Sequence, residues 1–281
     1  MKLEQLWQRH VLNLLFAWAI ISFLFHTGWL IFGIGILIWI LLFYFTAPGV
    51  FWSYIFELSP AAQKDLKLLE KAVSMKPLLS SPYLRLGVLY ARQKDWAKAI
   101  MMMEQALNFT TPKGVPSIKP VLGVAYRENG EYEKAQSCFE SLIEQGVRTV
   151  HVYINLAQTY IKVDKLSEAL EAAQKARSLD TSSISPVLLM GKVHFLMKDF
   201  QAAKDDYEWA ISHASWPVES YYWLGRIEFE LGENDKAAEH LQTAVQRITD
   251  DPDLSDVPAD EAKKWLEQVP PVVTEAPPAV S

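Results

Sequence analysis

Six histidines, a single cysteine and a few adjacent acid pairs are the side chains with the clearest potential for acid–base, nucleophilic or metal chemistry. His10, His26, His151, His194, His213 and His240 show no spacing that sets two on one helical face. Cys138 stands beside Phe139 in an apolar helical pattern, which predicts a packed residue rather than a nucleophile. Alone, it forms no internal disulfide, and it is compatible with a reducing cytosol. Asp205-Asp206 and Asp250-Asp251 read as solvated surface or helix-end residues. There is no G-x-S-x-G, Walker loop, H-E-x-x-H or paired C-x-x-C. The chain therefore reads as a binding protein, not an enzyme, with no cofactor or metal implied.

The elements that would position a binding surface are repeats. A small residue after a large apolar one, three residues before a fixed position, recurs as Leu86-Gly87 with Tyr90, Leu122-Gly123 with Tyr126, Leu156-Ala157 with Tyr160, Met190-Gly191 with His194, and Leu224-Gly225 with Glu228. The small residues fall 36, 34, 34 and 34 apart. Alanine follows twelve residues later at 99, 135, 169, 203 and 237, and four further on stand Met103, Phe139, Ala173, Tyr207 and Leu241. Apolar residues at i, i+3, i+4 and i+7 make each unit two amphipathic helices. A period of this length means stacked units, each too small to bury its apolar face alone. The small residue lets the second helix approach the first. Tyr83, Tyr153 and Tyr221, with Trp96, Tyr132 and Phe200, are expected to fill the space between units.

These residues resemble the tetratricopeptide repeat, whose pattern is W-x2-L-G-x2-Y, then A-x3-F, then P. Lys119 and Val187 depart from it at the leading aromatic, Ala157 at the glycine and Glu228 at the tyrosine. The resemblance implies an all-α, right-handed helical-repeat solenoid with five repeats at 80–115, 116–149, 150–183, 184–217 and 218–248. Leu69, Ala72 and Pro77 place half a degenerate unit before it, within 47–79, and the polar stretch 249–269 supplies a capping helix near Ala259 to Gln268. Thr111 to Pro120 reads as a longer surface turn, and 270–281, rich in proline, as a disordered tail.

In arrays of this kind the first helices line a concave face that takes an extended peptide or a helix. The resemblance puts Arg92, Arg127, Asn155, Gln158, Lys162, Lys192, Phe195, Tyr222, Arg226 and Phe229 there. The five basic side chains, one per unit, would attract an acidic or carboxylate-bearing protein or peptide, with Asn155 and Gln158 able to pair with its backbone. Glu128, Glu219, Glu228 and Glu230 nearby support an ordinary solvated face instead. Some relatives clamp chaperone tails with lysine and asparagine; Leu84 and Val88 occupy those places here, so chaperone-tail binding is not implied.

Composition divides the chain. It is 50% hydrophobic with a net charge of −6, which gives no reason to expect nucleic acid. No charged side chain occurs from Val11 to Tyr44, whereas charges run throughout Pro60 to Gln268. The apolar run is too long for a single span of about 20 residues. It reads as a membrane anchor at 1–46, a hairpin of two transmembrane helices near 8–25 and 28–46 contacting the bilayer. Ala47 to Leu58 would then lie at the interface. Lys2 and Arg9 before the hairpin, and Lys64, Lys67, Lys71 and Lys76 after it, place both ends and the repeats on the cytoplasmic side of the cell membrane. The expected function is a membrane-anchored scaffold that recruits a protein partner. The alternatives are an extracytoplasmic assembly or secretion factor, and a regulatory subunit of a membrane enzyme or transporter complex.

Overall fold

A computed structural model describes residues 66–74, 79–214, 218–251, 255 and 257–270. The expected membrane hairpin, the interfacial segment up to residue 65 and the tail from 271 lie outside the described residues. Among those described, the regular elements are helical, and no helix is long and apolar enough to cross a membrane. The chain divides into two compact units between Thr111 and Pro112.

The described part of the first unit holds α1 (Leu66–Ser74), α2 (Ser80–Arg92) and α3 (Trp96–Asn108). α1 is the second helix of an incomplete repeat. Leu69 and Ala72 stand 34 residues before Met103 and Ala106, and all four are buried to 1% exposure or less. Tyr90 Oη donates to Glu70 Oε1 at 2.6 Å, tying α2 to α1.

The second unit runs as α4 (Val115–Glu128), α5 (Tyr132–Glu144), α6 (Val150–Lys162), α7 (Leu166–Leu179), α8 (Ile184–Leu196), α9 (Phe200–His213), α10 (Val218–Glu230), α11 (Asn234–Asp250) and α12 (Ala259–Gln268). Each first helix packs on its own second helix, and each second helix packs on the next first helix. α12 lies on α11 as a first helix would. Its Ala262 and Trp265 repeat the small-x-x-aromatic marker, so the cap is half a repeat.

Close helix approach follows from volume. A Cβ on Gly87 would stand 2.8 Å from Met103 Cγ; on Gly123, 2.7 Å from Phe139 Cζ; on Gly191, 2.9 Å from the Tyr207 ring; on Gly225, 2.7 Å from Leu241 Cγ. Each glycine therefore faces the large residue four positions after the alanine. The third repeat departs at both places together: Ala157 and Ala173 are buried in one cluster, so an added methyl is balanced by a missing ring.

The turn between paired helices is also built alike. Lys94, Gly130, Asp164, Lys198 and Gly232 all take positive φ, between 58° and 84°. The next residue's N–H reaches back to the carbonyl at the marker position, as in Asp95 to Tyr90 at 2.9 Å and Asp199 to His194 at 2.9 Å. This is the left-handed helix-stop geometry in which glycine is free of Cβ strain. Asp95 and Asp199 then cap the following helix, accepting from Lys98 N and Ala202 N.

Two expectations need correction. Thr111 to Pro120 is not one long turn: after a 3-10 turn at Pro112–Gly114, α4 begins at Val115 and takes in Pro116 and Pro120. Pro116 sits in the first turn, where no intrahelical N–H is required, and buried Ile118 and Leu122 anchor the rest. Of the six side chains expected to fill the space between units, Tyr83 and Tyr153 are buried, whereas Tyr221, Trp96, Tyr132 and Phe200 are half-buried. Met103, Phe139, Tyr207 and Leu241 fill the space between the paired helices of their own repeats.

Candidate peptide-binding face

Arg92 ends α2 in the first unit and is exposed. The other nine expected residues lie on first helices of the second unit. On the 3.6-residue period, Asn155, Gln158 and Lys162 fall on the opposite side of α6 from Tyr153, Leu156 and Tyr160, which turn toward the second helices. The expected set separates there into three groups.

In the first group Arg127 and Asn155 hold each other. Arg127 Nη1 donates to Asn155 Oδ1 at 2.9 Å, and Nε donates to Glu128 at 3.0 Å. Asn155 Nδ2 donates to the His151 carbonyl at 2.8 Å. The Arg127 side chain is only 10% exposed. This pair braces α4 against α6, and its hydrogen-bonding groups are largely committed. In the second group Lys162 and Lys192 are exposed and have no hydrogen bond or ion pair among the described residues. Gln158 is half-buried beside them on the same face.

The third group is an aromatic box around Arg226. Its guanidinium carbon lies 4.9 Å from the Phe195 ring centre, 5.6 Å from Tyr222, 4.8 Å from Trp223 and 4.2 Å from Trp265. Stacked aromatic faces suit a weakly hydrated, planar cation. Arg226 Nη1 donates to Tyr222 Oη at 3.3 Å, whose own hydrogen goes to Glu261 Oε1 at 2.7 Å. Nε is buried without a partner among the described residues. Phe229 meets Trp265 edge-on at 6.2 Å. Tyr222, 1% exposed, is a buried strut. Burial, with Glu261 in support, pushes its phenol up to about 12. The sequence reading missed Trp223 and Trp265, although the marker pair Ala262 and Trp265 was there to be found.

A second arrangement also escaped it. His194 Nδ1 meets Asp206 Oδ2 at 2.7 Å, and His240 Nδ1 meets Glu228 Oε2 at 2.6 Å. Lys204, 7% exposed, donates to Glu233 at 2.6 Å and lies 3.8 Å from Glu228 Oε1. The departures from tyrosine at positions 194 and 228 are thus halves of histidine–carboxylate contacts across paired helices. Asp206 is not the solvated surface residue expected. Adjacent helical residues diverge by about 100°, so Asp205 is exposed while Asp206 faces the first helix. Cys138 is buried as expected, and burial pushes its thiol up, away from the reactive thiolate.

A tetratricopeptide-repeat model matches residues 121–184 and 188–252, and a second such model matches 83–108. Together these cover more than half of the chain. The chain belongs to the tetratricopeptide-repeat family. The array is similar to lipopolysaccharide assembly protein B of Escherichia coli strain K12, 27% identical over 177 residues, which is 61% of this chain and 43% of that protein. It is also similar to the anaphase-promoting complex subunit CDC16 of Saccharomyces cerevisiae, 26% identical over 110 residues, 37% of this chain and 13% of that one. The chain thus spans less than half the length of these curated relatives. Among solved structures, the thermophilic tetratricopeptide protein TTC0263 of Thermus thermophilus superposes with a TM-score of 0.55 at 19% identity, over 67% of this chain and 99% of that one. YrrB, a tetratricopeptide protein described as having an unusual peptide-binding site, gives 0.51 at 19% identity over 71% and 100%. At these identities the structures establish the fold. The tetratricopeptide array is a scaffold for protein–protein interaction, and no catalytic family is indicated.

Proposed function

We propose that the first-helix face of the second unit binds an acidic or carboxylate-bearing peptide, and that residues 8–46 tether the scaffold to a membrane so that the bound partner is recruited there. The observation that carries the first part is the exposure of Lys162 and Lys192 without partners among the described residues, beside the braced Arg127–Asn155 pair. Two unspent ammonium groups on a preorganised backbone are what a carboxylate-rich strand needs. The Arg226 box offers aromatic surface at the far end of the same row of helices. The second part is supported by the uncharged run from Val11 to Tyr44.

A short glutamate-rich peptide should bind the purified protein, and Lys162→Glu with Lys192→Glu should weaken it roughly tenfold; unchanged affinity would remove the basic face from the proposal. Retention in the membrane fraction after an alkaline wash tests the tether, and release defeats it. A second reading is an extracytoplasmic assembly or secretion factor; the likeness to lipopolysaccharide assembly protein B supports the assembly role alone. An impermeant thiol reagent applied to intact cells carrying Ser281→Cys in a Cys138→Ser background separates the two: labelling without lysis places the array outside.

A further inference from the structure

Between α5 and α7, with α6 as its floor, lies a groove of about 310 Å³. It opens between two second helices, on the side of α6 away from Asn155, Gln158 and Lys162. The face proposed above does not include it.

Its floor is apolar: Tyr153, Leu156 and Ala172, with Ile143 at one wall. Its rim is acidic. α5 contributes Glu140 and Glu144, and α7 contributes Glu168 and Glu171, against the ammonium of Lys175 and that of Lys165, which lies 5.9 Å from the Tyr160 ring centre. The Lys175 ammonium is already paired with Glu171 at 2.6 Å. Glu140 accepts from Tyr160 Oη and Gln136 Nε2, both at 2.8 Å, which fixes one carboxylate at the groove wall. Glu144 and Glu168 are exposed and have no hydrogen bond or ion pair among the described residues. The negative field is felt inside: after burial, Glu140, Glu168 and Glu171 all push the Tyr160 phenol upward.

We infer that this groove is a second docking site, for a basic amphipathic segment of a protein partner that sets apolar side chains on the floor and lysine or arginine against Glu144 and Glu168. Charge complementarity selects the sign, and the floor selects the class. A hydrated metal ion gains nothing from Tyr153 and Leu156, and no group of His, Cys, Asp and Glu able to hold a metal occurs among the described residues. An anionic bilayer surface would be repelled by the rim. A helix or strand carrying both cationic and apolar side chains satisfies rim and floor together. Two sites of opposite sign on opposite sides of one helix would let the array hold two partners at once.

The test titrates the full-length protein with a short synthetic peptide alternating arginine and leucine, followed by fluorescence anisotropy. Peptides alternating serine with leucine, and glutamate with leucine, serve as controls. The basic peptide is expected to bind, and more weakly as salt rises. Glu144→Lys with Glu168→Lys should reduce its affinity roughly tenfold or more. The milder pair Glu144→Gln and Glu168→Gln should reduce it several-fold, with a flatter salt dependence, while leaving the thermal melt unchanged. Lys162→Glu with Lys192→Glu should leave the basic peptide's affinity intact, so this site and the first-helix face succeed or fail separately. Equal affinity for the serine control, or undiminished binding by both glutamate variants, overturns the assignment; the glutamate peptide reports on the first-helix face, and its binding there should be lost in Lys162→Glu with Lys192→Glu.

Discussion

His194 Nδ1 and Asp206 Oδ2 lie 2.7 Å apart across the two helices of the fourth repeat. The same contact recurs 34 residues on with its members exchanged, Glu228 facing His240. Burial raises the Asp206 carboxyl above its ordinary 3.8, with His194 pulling the other way. A raised folded value means that the folded state binds this proton more tightly than the unfolded chain does. The group's stabilising contribution is therefore complete below 3.8 and lost as pH rises through the raised value. Asp206→Asn has no such proton. In thermal melts across the carboxylate range, wild type should lose ground to Asp206→Asn as pH rises. A wild-type advantage that grows over that window would contradict the assignment.

Gly123 and Phe139 test the volume rule. Gly123→Ala drives a Cβ into the ring and should cost about 1 to 3 kcal/mol, while Phe139→Ala leaves a cavity and should cost about 3 to 5 kcal/mol. The double variant reproduces the alanine pair at 157 and 173. Its cost should fall below the sum of the single changes by about 1 kcal/mol. Additive costs in urea unfolding would show that the two positions do not share one space.

The five left-handed turns make opposite substitutions informative. Lys198, at φ 62°, carries a Cβ where glycine would be at ease, so Lys198→Gly should stabilise by about 0.5 kcal/mol. Gly232, at φ 77°, has open space around it. Gly232→Ala should therefore cost about 1 kcal/mol through backbone strain alone. Denaturation midpoints moving in the same direction for both would rule out turn conformation as the cause.

Tyr222 couples the last full repeat to the cap through Glu261. Tyr222→Phe should cost about 1 kcal/mol and loosen α12, read as faster amide exchange at Ala262 and Trp265. The phenol's folded value is raised from 10.0 to about 12, so its contribution is whole below 10.0 and lost as pH rises through about 12. The variant should lack that part of the alkaline destabilisation. Tyrosinate absorbance developing fully near 10 in the folded protein would show that the hydroxyl is not held as described.

The repeats were legible because period and residue volume are local properties of the chain. Gly87, Gly123, Gly191 and Gly225 and their following alanines announce where helices touch. The half-repeat at Leu69 followed from the same register, and the cap at 259–268 from the polar outer face that a terminal unit needs. Side-chain pairing was less legible, since it depends on which face meets which neighbour. Arg127 and Asn155, read as two separate hooks for a peptide, are bonded to each other across 28 residues of chain. Arg226 carries its charge among four rings, one of them on a helix that the expected face did not include. Asp206 was assigned to solvent from its neighbour Asp205, although one step along a helix is enough to change surroundings. The groove at Glu144 and Glu168 depended on two separate helices being brought side by side, for which no single stretch of sequence is a sign.

The exchanged contacts at 194/206 and 228/240 also bear on how such an array could be shuffled. A hybrid that joins the first helix of the fifth repeat to the second helix of the fourth would set Glu228 against Asp206, two buried acids where each native pair has one acid and one histidine. The reciprocal hybrid would set His194 against His240. In this part of the protein the interchangeable module is the complete helical pair, and a crossover inside it breaks the polarity on which each half relies.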